Sequence, residues 1–331
     1  MKIAIIGGGW VGCHLASKLK KQHEVTIFDK QSKLFTQTSY NNQNRLHLGY
    51  HYARSYETRE LCYITFDRFI DDYSFAVKDV NKNLYCVASN KSIIDYRTYL
   101  KIFEDYDYDI INHDFNSFEG CINTNEKYID YKKMYDHFNT ELYHVQLNVT
   151  RDIIKNLRNE YDLVINATNN HISDKNIKND FYEISLSLIY KKIKETTFDS
   201  VTVVDGNLFS IYPYTEDLFT VTDVEHTPLK KFKKVKDLEK FMDGEFSLSL
   251  VEEKQKLIEE KIEYYYPNFL NDFEYHSFFT STKSKMEGSS DSRYPIINKE
   301  GNLINCFTGK IQGIYLIEDS VNEFISQLSH G

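Results

Sequence analysis

A basic excess, closely paired cysteines and long apolar runs are all missing from this sequence, and each absence closes off a class of function. Lysine and arginine number 40 against 49 aspartates and glutamates, a net charge of −9, so a general nucleic-acid binder is not expected. The five cysteines, Cys13, Cys62, Cys86, Cys121 and Cys306, are scattered, odd in number and include no C-x-x-C pair. Reduced thiols in a cytosol are therefore the expectation, and no metal site is expected. No apolar run approaches membrane-spanning length. Nor has the N-terminus the shape of a signal peptide, because Lys2–Ile6 runs straight into glycines. A cytoplasmic protein without a membrane partner is expected. Tryptophan occurs once, whereas 26 tyrosines and 22 phenylalanines supply aromatic surface for a core or a ring-lined pocket. At 331 residues the chain can bury a large core, as two domains or as one with a large insertion.

What is present is concentrated at the start. Lys2–Ile6 is an apolar run of strand length, and Gly7-Gly8-Gly9-Trp10-Val11-Gly12 follows it, fitting G-x-G-x-x-G. A helical pattern then opens with Val11, Leu15 and Leu19 on one face. Lys18, Lys20 and Lys21 lie near its C-terminal end, where cations suit the helix dipole. A second strand, Val25–Phe28, ends in Asp29. Strand, glycine turn, helix, strand and acid in that order form the dinucleotide-binding pattern in its required context. Gly7 allows the tight turn, Gly9 the approach of a pyrophosphate, and Gly12 the close packing of helix on sheet. The helix N-terminus offers N–H groups and partial positive charge to phosphates. Asp29, about 20 residues on, can accept from ribose hydroxyls. The bland alternative is a glycine-rich turn in some other α/β protein.

Further along, Gln31–Asn44 reads as too polar for core. It leads into Asn44-Arg45-Leu46-His47-Leu48-Gly49-Tyr50-His51-Tyr52, which suits a surface turn and a loop laid against a cofactor ring equally well. Spacing predicts helices over Ser55–Ile70, Tyr96–Phe103 and Tyr131–Leu142, and strands over Leu84–Val87 and Val145–Val149. Leu163–Thr168 predicts a buried parallel strand whose small, polar end faces a ligand. Tyr182–Leu188 alternates strictly and predicts a half-buried antiparallel strand. Val201–Val204, Asp205-Gly206 and Leu208–Tyr212 read as a hairpin, and Leu218–Val224 as another strand. A mostly antiparallel sheet is thus inserted between pieces of the nucleotide-binding domain. Lys230, Lys231, Lys233, Lys234 and Lys236 form a basic run, a solvated face or an anion-docking patch. Ser249-Leu250-Val251-Glu252 reads as a capping box before a helix that stops at Pro267. Phe273–Ser281 predicts a strand and Tyr294–Ile297 with Leu303–Phe307 a hairpin. A second glycine turn, Thr308–Gly313, opens the final helix.

On these residues the chain resembles the flavin-dependent D-amino-acid oxidase superfamily, which includes glycine oxidase, sarcosine oxidase and L-2-hydroxyglutarate dehydrogenase. The likeness spans nearly the whole length and is strongest at Gly7–Asp29. Asn42–Tyr52 is similar to the N-x-x-x-x-H-x-G-x-x-Y stretch of the hydroxyglutarate branch. Gly120–Asp130, with Glu126, looks like the family's lead into a helix. Asp162–Thr168 resembles its D-x-V-x-x-A-T-G strand, and Arg293–Ile297 with Gly309-Lys310-Ile311 its C-terminal flavin strand and turn. The fold so implied is α/β: a Rossmann-type FAD-binding domain, glutathione-reductase-like, with an inserted mostly antiparallel β-sheet substrate domain. The FAD-binding domain would be discontinuous, 1–75 plus 125–175 plus 285–331, and the substrate domain 76–124 plus 176–284.

The resemblance also implies noncovalent FAD. Gly7, Gly9, Trp10, Val11, Gly12, Asp29 and Lys30 would hold its ADP half, Val149 the adenine, and Ala167 and Thr168 the pyrophosphate or ribose. The isoalloxazine would lie between the Arg45–Gly49 loop and the Gly309–Gly313 turn, with Asn44, Arg45, Leu46, His47, Gly309, Lys310 and Ile311 holding the cofactor. The implied activity is hydride transfer to flavin N5 from a small amine or hydroxy compound, carboxylate- or sugar-bearing. His47, Arg45, Arg293 and Tyr212 are the candidates for catalysis, with Tyr214 an alternative to Tyr212. His47 can serve as base or only bond the flavin, and Lys310 can stabilise charge on the reduced ring. Three departures stand out. Asn169-Asn170 replaces the family's A-T-G glycine. The strand Leu218–Glu225 lacks the lysine that sarcosine oxidase places over the flavin to assist oxygen, so oxidase and dehydrogenase both stay open. The carboxylate-binding Arg/Tyr pair has no secure match. Alternatives are a redox-neutral flavoenzyme resembling UDP-galactopyranose mutase, an NAD dehydrogenase, and a non-catalytic flavin-binding protein; the mutase type wants arginines that are scarce beyond Arg158. A small-molecule substrate is expected, nucleic acid is not, and the oligomeric state is open.

Overall fold

The computed structural model describes residues 1–112, 117–172, 180–286 and 293–330. Apolar strands at both ends of the chain meet in one six-stranded sheet. Its order is Ile296–Glu300, Leu303–Phe307, Leu163–Asn166, Lys2–Ile6, Glu24–Asp29, His144–Gln146. Every pairing in it is parallel except that of the first two strands. Ile3, Ala4 and Ile5 are each fully buried because helices cover both faces. The helix Trp10–Leu19 returns the chain from the first strand to the second, with Val11, Leu15 and Leu19 buried as their spacing predicts. The final helix, Ile314–His330, packs beside it through Ile317 and Val321.

The second sheet has nine strands. Its path runs Pro228–Phe232, Asp180–Lys192, Leu218–Asp223, Phe209–Pro213, Ser200–Val204, Asn83–Ala88, Phe118–Thr124, Tyr108–Ile111, with Phe273–Met286 also paired on Asp180–Lys192. Among the described residues only Ser200–Val204 on Asn83–Ala88 is a parallel pairing, so the sheet is mostly antiparallel as expected. Helix Leu248–Tyr265 covers its outer face, packing Val251, Ile258 and Ile262 on Leu186, Leu188, Phe209 and Val221. A small third sheet, Arg45–Leu46, Lys127–Ile129 and Val77–Asp79, lies between the two large ones in sequence and joins the loop after Asn44 to the segment after Thr124.

Several expectations are corrected. Tyr182–Leu188 belongs to a longer strand that is buried on both faces: Glu183 is 2% exposed and Ser185 1%. Gln31–Asn44 is not all polar surface, because Leu34 and Phe35 enter the core. The helix cap is Ser247, whose hydroxyl accepts the Leu250 N–H at 3.3 Å, not the Ser249 box. The strand expected over Val145–Val149 is only His144–Gln146. The first strand of the last hairpin is Ile296–Glu300, longer at its end than Tyr294–Ile297, and it turns at Gly301 with φ 58°, which a glycine adopts without strain. Cys86 and Cys121, expected as free thiols, are joined by a disulfide between directly paired strands. The expected domain boundary at 175/176 lies outside the described residues.

Candidate functional site

The glycine turn leaves no room for side chains. A Cβ at Gly12 would stand 1.8 Å from the Gly7 carbonyl oxygen, and one at Gly7, itself at φ 101°, would stand 2.7 Å from the Ala167 oxygen. The Trp10 N–H, at the open start of the helix, donates to the Ser39 hydroxyl at 2.9 Å. The Trp10 ring turns away into the core against Phe35 and Phe138, as Val11 does. Asp29 ends its strand beside this turn and accepts the Gly8 and Gln31 N–H groups, each at 2.7 Å. Lys30 is exposed and Val149 is packed with Ile6 and Phe28 on the second face of the sheet. Ala167 continues the parallel strand, donating its N–H to Ile6 at 2.8 Å, and Thr168 bonds the Asn166 amide oxygen at 2.7 Å. Asn169 and Asn170 adopt φ 54° and 62°. Asparagine tolerates this left-handed region, so the pair meets the backbone demand a glycine would have met.

Two segments far apart in sequence then meet. The Gln312 side chain donates to the His47 carbonyl at 2.7 Å and the Cys62 carbonyl at 2.9 Å, and accepts the His47 N–H at 3.3 Å. The loop Asn44–Tyr52 is thereby clamped to the Gly309–Gly313 turn at the mouth of the final helix. Leu46 is fully buried and Ile311 packs partly buried beside it in the same core. On this loop four buried polar atoms have no hydrogen-bond partner: Asn44 Oδ1, Arg45 Nε, His47 Nδ1 and His51 Nδ1. Such atoms are costly in a finished interior. With the glycine cradle and Asp29, the Asn44, Arg45 and His51 atoms fit a bound dinucleotide.

Charge is arranged around Glu126, which sequence reasoning noted in a motif but did not place in the site. Its Oε1 accepts the Leu48 and Gly49 N–H groups at 2.8 and 3.1 Å, and Oε2 accepts the Tyr85 hydroxyl at 2.5 Å. His47 Nδ1 lies 3.2 Å from Oε2, close enough for an ion pair but out of line for a good hydrogen bond. Burial works against the Glu126 charge, but His47, Tyr85 and the Leu48 N–H outweigh it and hold its pKa below the usual value. Burial pushes His47 down to about 4, with Lys310 adding to the shift and Glu126 opposing it, so the imidazole is neutral. Burial likewise brings Lys310 down to about 8 and His51 well below the ordinary imidazole value. The Lys310 ammonium sits 4.5 Å over the Tyr52 ring.

Arg45 is buried with no carboxylate among the described residues in contact. Its terminal nitrogens donate to Thr202 at 3.1 Å and Ser210 at 2.6 Å, and its guanidinium lies 4.1 Å over the Tyr212 ring. Tyr212 is thus a platform for Arg45, its own hydroxyl donating to the Lys127 carbonyl at 3.0 Å. Tyr214 stacks on Tyr131 instead. The Arg293 chain leans on Gly309, where a Cβ would be 2.9 Å from its Cδ. A further cation escaped sequence reasoning. Lys283, on Phe273–Met286, keeps accessible surface, yet burial and then Lys285 bring its pKa down to about 8. The register pairs Lys283 with Glu183, on the face of the strand that also carries Ser281. A surface cleft of about 370 Å³ lined by Lys91, Gly206, Lys261 and Tyr265 is separate from this junction.

Comparison with known proteins points the same way. Residues 2–87 match the family model of FAD dependent oxidoreductases. The FAD-dependent monooxygenase FPY4 of Fusarium mangiferae is 32% identical over 346 residues, spanning 99% of this chain and 92% of that one. The FAD-dependent monooxygenase kojA of Aspergillus flavus is 24% identical over 99% of this chain and 86% of its own. Among solved structures, glycine oxidase from Geobacillus kaustophilus matches with TM-score 0.69 at 10% identity, over 98% of this chain and 94% of that one. L-proline dehydrogenase from P. horikoshii matches with TM-score 0.66 at 14% identity, over 98% and 93%. At these identities the solved structures speak for the fold.

Proposed function

The chain belongs to the FAD-dependent oxidoreductase family, and from that premise we propose that it oxidises a small amine or hydroxy compound, with dioxygen as the electron acceptor. The Gln312 clamp carries the reading, since it brings the His47 loop and the final helix's mouth to one place. Bound FAD supplies a hydride acceptor at flavin N5 and a route for the electrons onward. Gly7, Gly9, Gly12, the helix start at Trp10 and Asp29 hold the ADP half, with Val149, Ala167 and Thr168 beside it. The loop from Asn44 to His47 and the turn Gly309–Ile311 hold the ring. The sheet within 76–124 and 176–284 forms the substrate half.

Among the chain's own groups, Arg45 is preset by Thr202, Ser210 and the Tyr212 ring to orient whatever lies in front of it. His47, neutral with Nδ1 turned to Glu126, presents Nε2 as an acceptor for a substrate O–H or N–H hydrogen. At a pKa of about 4 it is a weak base and chiefly a positioning acceptor. Lys310 and Arg293 would stand beside the ring as cations. Lys283, on the sheet face that carries Ser281, supplies a cation that the strand Leu218–Glu225 lacks, and the relatives' name of monooxygenase also supports oxygen as acceptor. The test is to purify the protein, record its visible spectrum, and screen amines and hydroxy compounds anaerobically for bleaching, then readmit air and assay peroxide. Bleaching followed by peroxide release is expected. A colourless protein that takes up no FAD overturns the reading, and bleaching that air does not reverse overturns the choice of acceptor.

A further inference from the structure

The two faces of the nine-stranded sheet differ in kind. Cross-strand partners share a face, and the register pairs Thr202 with Ser210, Ser210 with Thr222, and Ser185 with Ser281. Leu188 pairs with Val221 and Ile189 with Thr220, which puts Ser187 on the same side as Thr222. Six small hydroxyl side chains on adjacent strands therefore line one face, all buried. The opposite face is aliphatic and aromatic and lies under the helix Leu248–Tyr265. The hydroxyl face looks onto the cofactor loop, because Arg45 donates to Thr202 and Ser210, and Gln43 donates to Thr222 at 2.6 Å. Ser187 and Ser281 are left over: no other described residue bonds their hydroxyls.

The charges in front of that face are of one sign. Among the described residues Arg45 has only hydroxyls and a ring for company, Lys310 lies over Tyr52, and Lys283 stands opposite Glu183 in the register, on the face that carries Ser281. The two carboxylates these cations feel are already engaged. Glu126 takes two backbone N–H groups and the Tyr85 hydroxyl, and Glu183 pairs with Lys285 at 2.5 Å. An ammonium substrate would shed its hydration beside three cations and find no free acid among the described residues, a strongly unfavourable exchange. A hydroxyl carries no charge and can both donate to and accept from serine and threonine.

Resting on the flavin-site reading above, we infer that the substrate is a small polyol, an alcohol bearing several hydroxyls, and not an amine. One alcohol carbon gives its C–H hydrogen with both electrons to the FAD, its O–H proton leaves by way of His47 Nε2 to solvent, and a C=O bond forms. The other hydroxyls are held by Ser187, Ser281 and their neighbours. The test uses FAD-loaded protein under anaerobic conditions and follows the flavin band on adding glycerol, D-sorbitol, D-glucose or D-gluconate, and in parallel glycine, sarcosine, L-proline or benzylamine. At least one polyol is expected to bleach the band with a KM ten-fold or more below that of any amine. Ser187→Ala and Ser281→Ala, matched for FAD content, are each expected to raise that KM several-fold. Faster bleaching by an amine than by every polyol overturns the inference. So does a band that no polyol bleaches or shifts although dithionite reduces it. A protein that holds no FAD overturns the flavin-site reading first and this inference with it.

Discussion

Acid is expected to destabilise the FAD-free chain in large part through His47. The imidazole is 5% exposed and its pKa falls from 6.5 to about 4 on folding. A group whose folded value is depressed in this way adds stability above the unfolded pKa and loses it as pH falls towards the folded one. Between pH 6.5 and 4 the unfolded chain binds a proton there that the folded chain does not. Stability therefore drops by about 1.4 kcal/mol per pH unit from this group, roughly 3 kcal/mol over the whole window. His14 and His51 are depressed by burial too and deepen the loss. The assay is the urea midpoint at half-unit steps from pH 7 to 4, for wild type and His47→Gln. Glutamine keeps a polar side chain beside Glu126 but cannot titrate. The variant's stability is expected to fall less steeply across the window, by up to about 1.4 kcal/mol per unit at constant m-value. Parallel curves for the two proteins would show that His47 is not buried neutral and would refute the reasoning.

Three further outcomes follow from the same geometry. Glu126→Gln keeps an oxygen for Leu48 and Gly49 but turns charge-assisted bonds into neutral ones and strips Lys310 and His47 of their anion. A loss of about 2 kcal/mol in chemical denaturation at pH 7 is expected. Gln312→Leu leaves the His47 N–H and carbonyl unpaired in the interior and takes from the Cys62 carbonyl the bond it accepts besides its helical one. At about 1 kcal/mol or more for each, thermal unfolding should begin several degrees earlier, and FAD should be lost on gel filtration. Gly12→Ala cannot be accommodated at 1.8 Å from the Gly7 oxygen and should abolish FAD uptake, whereas Gly244→Ala, with nothing within 4 Å, should leave uptake and melting temperature unchanged.

The opening unit was legible in the sequence because everything that specifies it is local. Glycine spacing, an apolar strand before it and an acid after it lie within a single β-α-β unit, and backbone sterics demand those residue types wherever the chain folds. The antiparallel strands were legible for the same reason, through alternation. Alternation does not say what a polar face meets, so Glu183, Ser185 and Ser187 read as a wet face although they line a dry one. The Cys86–Cys121 bond depends on strand register, which no spacing in the sequence states. Gln312 reaches His47 across 265 positions, and Glu126 comes to the same loop from the segment between two other strands. A polar side chain carries no local mark of its burial or its partner. The sequence by itself therefore determined the opening β-α-β unit and its glycine turn, while only the tertiary structure decided which distant charges and hydroxyls meet at the His47 loop.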